Sequence, residues 1–234
     1  MLEKIQFGSR EIRFRLEYSN RKTLGITVNP DLSVLVKAPL SASLEKIREK
    51  VKKRAPWILQ QQSFFLSFEP RTPPRRYVSG ETHLYLGRQY RLKVVEHRNK
   101  EVKLKNGFLV IYTPDKNHRQ AIKEQLYAWY LEHARHKFTQ YAQPWIDVFK
   151  KYHVEPERLE IKRLEKRWGS CSPNGKIVLN LELIKAPKGC IEYVIVHELC
   201  HLMYPNHSKA FFELQGRVMP DWERWKENLE RFMA

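Results

Sequence analysis

The sequence predicts an α+β fold with a β-rich first half and a mainly helical second half. Two observations indicate this division. Apolar residues alternate at period two through much of residues 11–113, and a helical repeat of apolar residues begins near residue 116. The 234 residues include 42% hydrophobic and 12% aromatic residues, a globular rather than a disordered composition. We expect two regions, residues 1–115 and residues 116–234.

Strand signals dominate the first region. Residues 11–18 alternate apolar and charged side chains, as a half-buried strand does. Two short apolar runs then flank an Asn-Pro-Asp turn at residues 29–31, so we expect a three-stranded antiparallel start. Two further hairpins are predicted, residues 83–86 with 90–95 and residues 102–104 with 108–112, the latter around Asn106-Gly107.

Proline positions divide the helical segments. A helix capped by Ser41 or Ser43 should run to Ile58 with a kink at Pro56. A basic, proline-rich connector follows at residues 71–76. A long helix should then begin at residue 116 and be interrupted at Pro144.

The last third combines strands with a buried helix. Residues 159–164 and 176–181 alternate as strands and predict a hairpin. Pro187 suits the first turn of the next helix, which is apolar nearly all round and should therefore be buried. Ser208 and Asp221 can cap the two helices that complete the chain.

The segment His197-Glu198-Leu199-Cys200-His201 carries the strongest chemical signal. Residues four apart share a helix face, so His197 and His201 can direct two imidazole nitrogens to one ion. Glu198 is turned by about 100° from His197, which suits a general base better than a ligand. Pro205 should end the helix and let the chain return with His207. Three histidines leave one position of a tetrahedral zinc open for water, as catalytic sites do.

A structural interpretation of the same residues stays open at this point. The histidines would be hydrogen-bonded within a buried helix, and Glu198 would pair with one of the many lysines. This interpretation accounts for neither the helix-breaking Pro205 nor the position of His207.

The surrounding motifs resemble a known family, the YgjP-like branch of the small zincin metallohydrolases, which are relatives of the SprT proteases. The resemblance is carried by Arg167-Trp168-Gly169-Ser170-Cys171-Ser172, Asn180, the histidine motif, Asn206-His207-Ser208 and Phe211. It is strongest over about residues 163–225, with a looser match of layout elsewhere. It implies a zincin-like catalytic region with a small antiparallel sheet and the His-Glu-x-x-His helix. His197, His201 and His207 would bind zinc, and Glu198 would be the catalytic base.

Substrate contacts are less well indicated. Arg167 is a candidate to bind a substrate carboxylate or phosphate, with a structural ion pair as the alternative. Arg167, Tyr193 and Tyr204 are candidate electrophilic donors that the sequence does not rank. If the substrate is a peptide, residues 177–181 are the candidate strand to pair with it, because zincins pair a strand beside the metal with the substrate.

Three carboxylates close to the motif are candidates to orient a ligand histidine through its second ring nitrogen. They are Glu213, Asp221 and Glu223.

The net charge of +17 is unevenly distributed. Residues 1–120 contain 25 Lys and Arg against 11 Asp and Glu, and residues 121–234 contain 18 against 15. A basic region of this kind attracts polyanions, so nucleic acid or nucleotide is a candidate partner, and a solvated surface is the equal alternative. Three cysteines without a C-x-x-C pair argue against a disulfide framework. Without a leader or a membrane-spanning apolar run, we expect a cytoplasmic protein with no transmembrane segment.

The leading hypothesis is a zinc-dependent hydrolase of the metallopeptidase type. One divalent metal, zinc by this motif, would lower the pKa of its water toward about 7, and Glu198 would take the proton. One alternative is a metal-dependent nucleoside triphosphate pyrophosphatase or phosphohydrolase. The other is a nucleic-acid-associated adaptor with a structural metal. The substrate is thus expected to be a peptide or to contain phosphate.

Overall fold

Two compact units make up the chain, Met1–Thr72 and Pro73–Met233, each with its own hydrophobic core. The computed structural model describes residues 1–8, 10–29, 31–66, 75–165 and 167–233. The division differs from the expected boundary at residues 115 and 116. The physical reason is that Leu109 and Ile111, from the strands before that boundary, share a core with the helical residue Leu126.

The first unit combines a four-stranded sheet with two helices. Its elements are β1 (Leu2–Phe7), β2 (Arg10–Ser19), β3 (Gly25–Val28), β4 (Val34–Pro39), α1 (Leu44–Lys53) and α2 (Ala55–Leu66). The strand order is β1-β2-β4-β3, with β2 and β4 parallel and the two outer pairs antiparallel. The expected three-stranded antiparallel start is therefore wrong. The β3–β4 hairpin itself is confirmed, although Pro30 of its turn lies outside the described residues.

The helix expected to be kinked at Pro56 is two helices separated at Arg54. Pro56 is the second residue of α2, where the missing backbone N–H has no intrahelical acceptor to lose. Ile47 and Val51 of α1 and Ile58 of α2 are buried against the sheet's apolar face.

The second unit begins with a sheet of the same strand order. Its elements are β5 (Thr82–Tyr85), β6 (Arg88–Glu96), β7 (Glu101–Lys105), β8 (Phe108–Thr113), α3 (Arg119–Lys150), β9 (Arg158–Lys162), β10 (Gly169–Cys171), β11 (Lys176–Asn180), a 3-10 helix (Leu181–Lys185), α4 (Lys188–Met203), α5 (Lys209–Val218) and α6 (Trp222–Met233). Both predicted hairpins, β5–β6 and β7–β8, are confirmed. The order is β5-β6-β8-β7, again with the central pair parallel. Residues 71–74 of the expected connector lie outside the described residues.

Helix α3 runs through Pro144 without interruption for 32 residues, so the expected break is wrong. Ala142 and Phe149 are buried on either side of Pro144, which itself is exposed. An interior proline costs a helix about 3 kcal/mol, and burial of the flanking face outweighs that cost here.

The third sheet has the order β10-β11-β9. β10 and β11 form an antiparallel hairpin, whereas β9 and β11 are parallel. The expected hairpin between residues 159–164 and 176–181 is therefore wrong, and the small sheet is mixed rather than antiparallel. Three mixed sheets and six α-helices in the described residues confirm the α+β class. None of these described helices is long and apolar enough to cross a membrane.

Candidate metal centre and active site

Helix α4 presents the first two histidines from the interior of the second unit. Its residues are buried on nearly every side, as its apolar sequence predicts. The helix ends at Met203, with Tyr204 in an extended conformation and Pro205 next. Ser208 then caps α5, its Oγ accepting from the Phe211 N–H at 3.3 Å. His207 is held in the short turn between these two helices.

The structure brings the three histidines together. One ring nitrogen from each of His197, His201 and His207 lies within 4.8 Å of the other two. The Nε2 atoms of His197 and His207 are 3.0 Å apart. Ligand nitrogens at about 2.1 Å from a tetrahedral zinc are separated from one another by about 3.4 Å. The dimensions of the triad therefore fit a single ion of this size.

The outer ring nitrogens of two histidines are already hydrogen-bonded. His197 Nδ1 lies 3.0 Å from Gln215 Oε1, and His201 Nδ1 lies 3.1 Å from the Tyr204 carbonyl oxygen. Carbonyl oxygens only accept, so both Nδ1 atoms donate, and in a neutral ring with this tautomer the Nε2 atom has a free lone pair. Burial, followed by charge repulsion from His201, lowers the pKa of His197 to about 4. Two neutral imidazoles with free lone pairs are what a divalent metal requires.

Gln215 is the orienting residue that sequence reasoning missed. It is fully buried, and its Nε2 has no hydrogen-bond partner in the part of the chain that the structure describes. Two of the three carboxylates named as candidates have other partners, and the third, Glu223, lies in the first turn of α6. Glu213 pairs with Lys209, and Asp221 accepts from the Trp225 indole at 2.7 Å. A signal existed, because Gln215 is the one polar residue on the buried stripe that α5 forms with Phe211 and Leu214.

Glu198 lies on α4 beside the triad and is 5% exposed. Its Oε2 is buried without a hydrogen-bond partner among the described residues, so the alternative pairing with a lysine is not what the fold provides. Burial raises the pKa of Glu198 to about 8, against a weaker opposing effect from Arg167. An unpaired buried carboxyl is costly unless the site uses it, which favours a role in chemistry.

The position of Gly169 in β10 explains why the sequence motif has a glycine there. A Cβ at this position would lie 2.5 Å from Glu198 Oε1. Only glycine therefore lets the edge strand approach the carboxyl group so closely.

Asn180 fixes the segment before this strand. Its Nδ2 donates to the carbonyls of Leu164 and Arg167, and its Oδ1 accepts from the Glu182 N–H. Buried at 3% exposure, Asn180 holds the backbone of Arg167 in place beside the site.

A cavity of about 410 Å³ contains the site. Its wall is formed by the triad, Glu198, the strand β10 with its following turn, and Arg167, the one cation among the described residues that line it. Tyr193 and Tyr204 are not part of this wall. The ring of Tyr193 stacks on Trp222 at 6.4 Å, and burial raises its pKa. Tyr204 contributes its carbonyl oxygen to His201.

Strand β10 forms the open edge of the sheet beside the cavity, whereas β11 has a neighbour on each side. The expectation that residues 177–181 pair with a peptide is therefore wrong, because the backbone groups of β11 are already used by β10 and β9.

A family model described as the YgjP-like metallopeptidase domain matches residues 22–232. The chain belongs to the YgjP-like family. Membership supports a metal-dependent hydrolase and implies a divalent metal, for which the histidine triad of this structure is a fitting site. The match extends over most of the chain, including the first unit from residue 22 onward. No curated protein matches the chain.

Proposed function

We propose that this member of the YgjP-like family is a zinc-dependent peptidase, with His197, His201 and His207 as the zinc ligands and Glu198 as the general base. The proposal rests on three imidazole nitrogens that lie within 4.8 Å of one another, beside the buried carboxyl group of Glu198. The Oε2 atom of that group has no hydrogen-bond partner among the described residues. When bound, zinc supplies a Lewis acid that acidifies water and polarises a carbonyl group.

Glu198 moves the proton. Its carboxylate takes a proton from the attacking water, and the resulting acid gives that proton to the departing amine. Burial favours the protonated form, so the carboxylate is a stronger base in the first of these two steps. Gly169 keeps the carboxyl group against the strand that holds the substrate.

The free edge of β10 provides the binding surface for a peptide. Asn180 N–H donates to the Trp168 carbonyl at 2.8 Å, and Ser172 N–H donates to the Lys176 carbonyl at 2.9 Å. Because hydrogen-bonding direction alternates along a strand, the backbone groups of Gly169 and Cys171 face away from β11. An extended peptide can pair with these two residues and lie alongside the metal centre.

The charge of the cavity favours a peptide over a nucleoside triphosphate. A triphosphate carries several negative charges, which proteins neutralise with several cations, whereas Arg167 is the one described cation in this wall. Arg167 suits a single carboxylate, either an acidic side chain or a chain terminus. A structural zinc would have four protein ligands in a closed site, and this triad opens onto a cavity.

Glu198→Gln tests the proposal. The zinc-loaded wild-type protein should cleave members of a peptide library followed by mass spectrometry, and Glu198→Gln should be slower by about 10²–10⁴-fold with equal zinc content. Glu192→Gln is the matched control, since Glu192 lies on the same helix and pairs with Lys188. Full turnover by Glu198→Gln would contradict its assignment as base. Hydrolysis of nucleoside triphosphates without any peptide cleavage would replace the peptide substrate.

A further inference from the structure

An open cavity of about 460 Å³ lies in the first unit, remote in sequence from the metal centre. It is formed by the N-terminal end of β3 and by the α1–α2 junction. The residues that line it are Thr23, Leu24, Ile26, Lys50, Lys53, Arg54 and Trp57. Three cations and an indole therefore share one cavity, whose volume is within the range of small-molecule sites.

In the second unit, a side chain fills the corresponding position between the helix and the end of the sheet. Gln125 of α3 donates to the carbonyls of Glu101 and Tyr112 at 3.0 and 2.8 Å. Glu101 and Tyr112 are paired residues of β7 and β8. This one amide ties the helix to the end of the sheet.

The corresponding positions in the first unit are Lys50 and the pair Gly25 with Lys37. The helices α1 and α3 start after Ser43 and His118, and Lys50 and Gln125 are each seven residues farther on. Gly25 and Lys37 form the first pair of β3 and β4, as Glu101 and Tyr112 do for β7 and β8. Lys50 makes no such tie among the described residues, and the place is a cavity.

The cations of this cavity are available to a ligand. Lys53 pairs with Glu49 at 3.0 Å, but both side chains are well exposed, so the pair is weak and easily exchanged. Among the described residues, Lys50 and Arg54 form no ion pair. Arg21 adds a charge beside the cavity, because a Cβ at Gly25 would stand 2.8 Å from its guanidinium nitrogens. The buried Nε of Arg21 has no hydrogen-bond partner within the described ranges.

Trp57 supplies an aromatic surface next to these charges. Its side chain is 38% exposed, whereas Trp129 of α3 is 8% exposed and belongs to the core. Cations beside an exposed ring are the combination with which proteins hold single-stranded nucleic acid, since every base has a face that stacks.

We propose that this cavity binds a nucleotide unit, with the base stacked on Trp57 and the phosphate held by Lys50, Lys53 and Arg54. The unit belongs either to a single-stranded nucleic acid or to a free nucleotide. The proposal is independent of the proposed peptidase activity, because none of these residues belongs to the metal centre.

The charge contribution is tested with two matched double variants of the full chain. Lys50→Gln with Arg54→Gln removes two cations that line the cavity. Lys46→Gln with Lys52→Gln removes two exposed cations of the same helix outside it. Fluorescence anisotropy of a labelled short oligothymidylate is measured at several salt concentrations. Each lost phosphate contact lowers the slope of log affinity against log salt by about 0.7, so the first variant should lose about 1.4 and the control almost none. Equal losses in both variants, or no binding by the wild-type protein, would overturn the proposal.

The aromatic contribution is tested at Trp57. Trp57→Ala should weaken oligothymidylate binding by about 5- to 100-fold, and Trp57→Phe should retain most of it. Heparin, a polyanion without bases, should bind equally well to both variants. A Trp57→Ala protein with unchanged oligothymidylate affinity would show that charge alone acts and would overturn the stacked arrangement.

A competition experiment distinguishes a free nucleotide from a nucleic-acid strand as the source of the nucleotide unit. Displacement of the oligonucleotide by thymidine monophosphate, lost in the Lys50 and Arg54 variant, would support a free nucleotide as the ligand. Binding of oligonucleotides with no displacement would support a nucleic-acid strand. Glu198→Gln should bind the oligonucleotide as the wild type does. Weaker binding by that variant would overturn the separation of the two sites.

Discussion

The two units begin with sheets of the same order and then use the following helix differently. In each unit an antiparallel hairpin is joined to a second hairpin through a parallel central pair. In the first unit the helix stops after 10 residues at Lys53, and a second helix with Pro56 near its start follows. In the second unit the helix continues to Lys150 and shares a core with the metal helix α4.

The residues at corresponding helix positions account for this difference. Gln125 and Trp129 of α3 tie the helix to the sheet and fill the core, whereas Lys50 and Arg54 at the same distances from the helix start line an open cavity. One sheet topology thus supports a long core helix in one unit and presents a charged surface in the other. The strand order of a sheet therefore does not determine whether the helix that follows it is buried in a core or lines an open cavity.

The largest expected effect is the difference in stability cost between substitutions of Trp129 and of Trp57. Trp129→Ala should lower the free energy of unfolding of the second unit by about 3–5 kcal/mol, because it leaves a cavity among Tyr85, Tyr130 and neighbouring core residues. Trp57→Ala should cost the first unit less than about 1 kcal/mol, since the ring is substantially exposed. Hydrogen exchange of peptides from each unit in increasing urea measures both values. Equal costs would show that the two helices are packed alike.

The next effect concerns the chemistry of the second unit. Gly169→Ala should force Glu198 away from its position and reduce peptide cleavage by about 10²-fold, while zinc affinity stays near the wild-type value. Gly216→Ala is the matched control, because a Cβ there would meet nothing closer than 3.7 Å. Peptidase rates and zinc titrations of both variants provide the measurement. Wild-type cleavage by Gly169→Ala would contradict the close contact between β10 and Glu198.

A smaller effect is expected at Gln215. Gln215→Leu removes the acceptor of His197 Nδ1 and should weaken zinc binding by about 10- to 100-fold in competition with a chelating dye. The metal-free protein should keep its stability, because the substitution also removes a buried amide nitrogen that has no partner among the residues described. Glu213→Gln on the exposed face of α5 is the control. A loss of stability with unchanged zinc affinity would assign Gln215 a structural role.

The smallest effect is the difference in pH dependence between the units. All nine histidines lie beyond residue 82, in the second unit. Burial lowers the pKa of His83 below its ordinary value of 6.5. The unfolded state therefore binds a proton at His83 more readily, so His83 contributes a loss of stability to the second unit as the pH falls below about 6.5. Glu198, whose pKa is raised by burial, contributes with the opposite sign. The first unit should not change in this range.

His83→Gln provides the check on this assignment. His83 Nε2 lies 3.0 Å from Glu81 Oε2, and glutamine keeps a donor for that carboxylate. On going from pH 7.5 to 5.5, the variant should lose less free energy of unfolding than the wild type, because the contribution of His83 is absent. Identical pH profiles for the two proteins would remove His83 as a source of the effect.

The hairpins that were predicted correctly are specified by turn residues in the sequence. Asn106-Gly107 predicts the β7–β8 hairpin because both residues accept a positive φ, and both have one in the structure, 51° and 78°. The parallel pairs β2–β4, β6–β8 and β9–β11 were not predicted, because parallel strands are joined by long connections without a turn signal. The break predicted at Pro144 is wrong, since the burial of its neighbours overrides the local preference of proline.

In the candidate site, likewise, the sequence predicts the features that depend on local spacing and misses those that depend on contacts between distant segments. The spacing of His197, His201 and His207 is local and predicts nitrogens that the structure does bring together; that they bind zinc remains a prediction. Gln215 and Gly169 act through contacts between distant segments, α5 with α4 and β10 with α4. No sequence period encodes such contacts. The motif indicated that Gly169 mattered without indicating that Glu198 was its partner.

Zinc content measures the central claim most directly. The protein is purified without chelators or a histidine tag, and metal per chain is determined by mass spectrometry for the wild type and for His207→Ala. About one zinc per chain is expected in the wild type and much less in the variant, with the fold retained because His207 is exposed. A wild-type protein that contains no metal and takes up none from micromolar zinc at neutral pH would contradict the account.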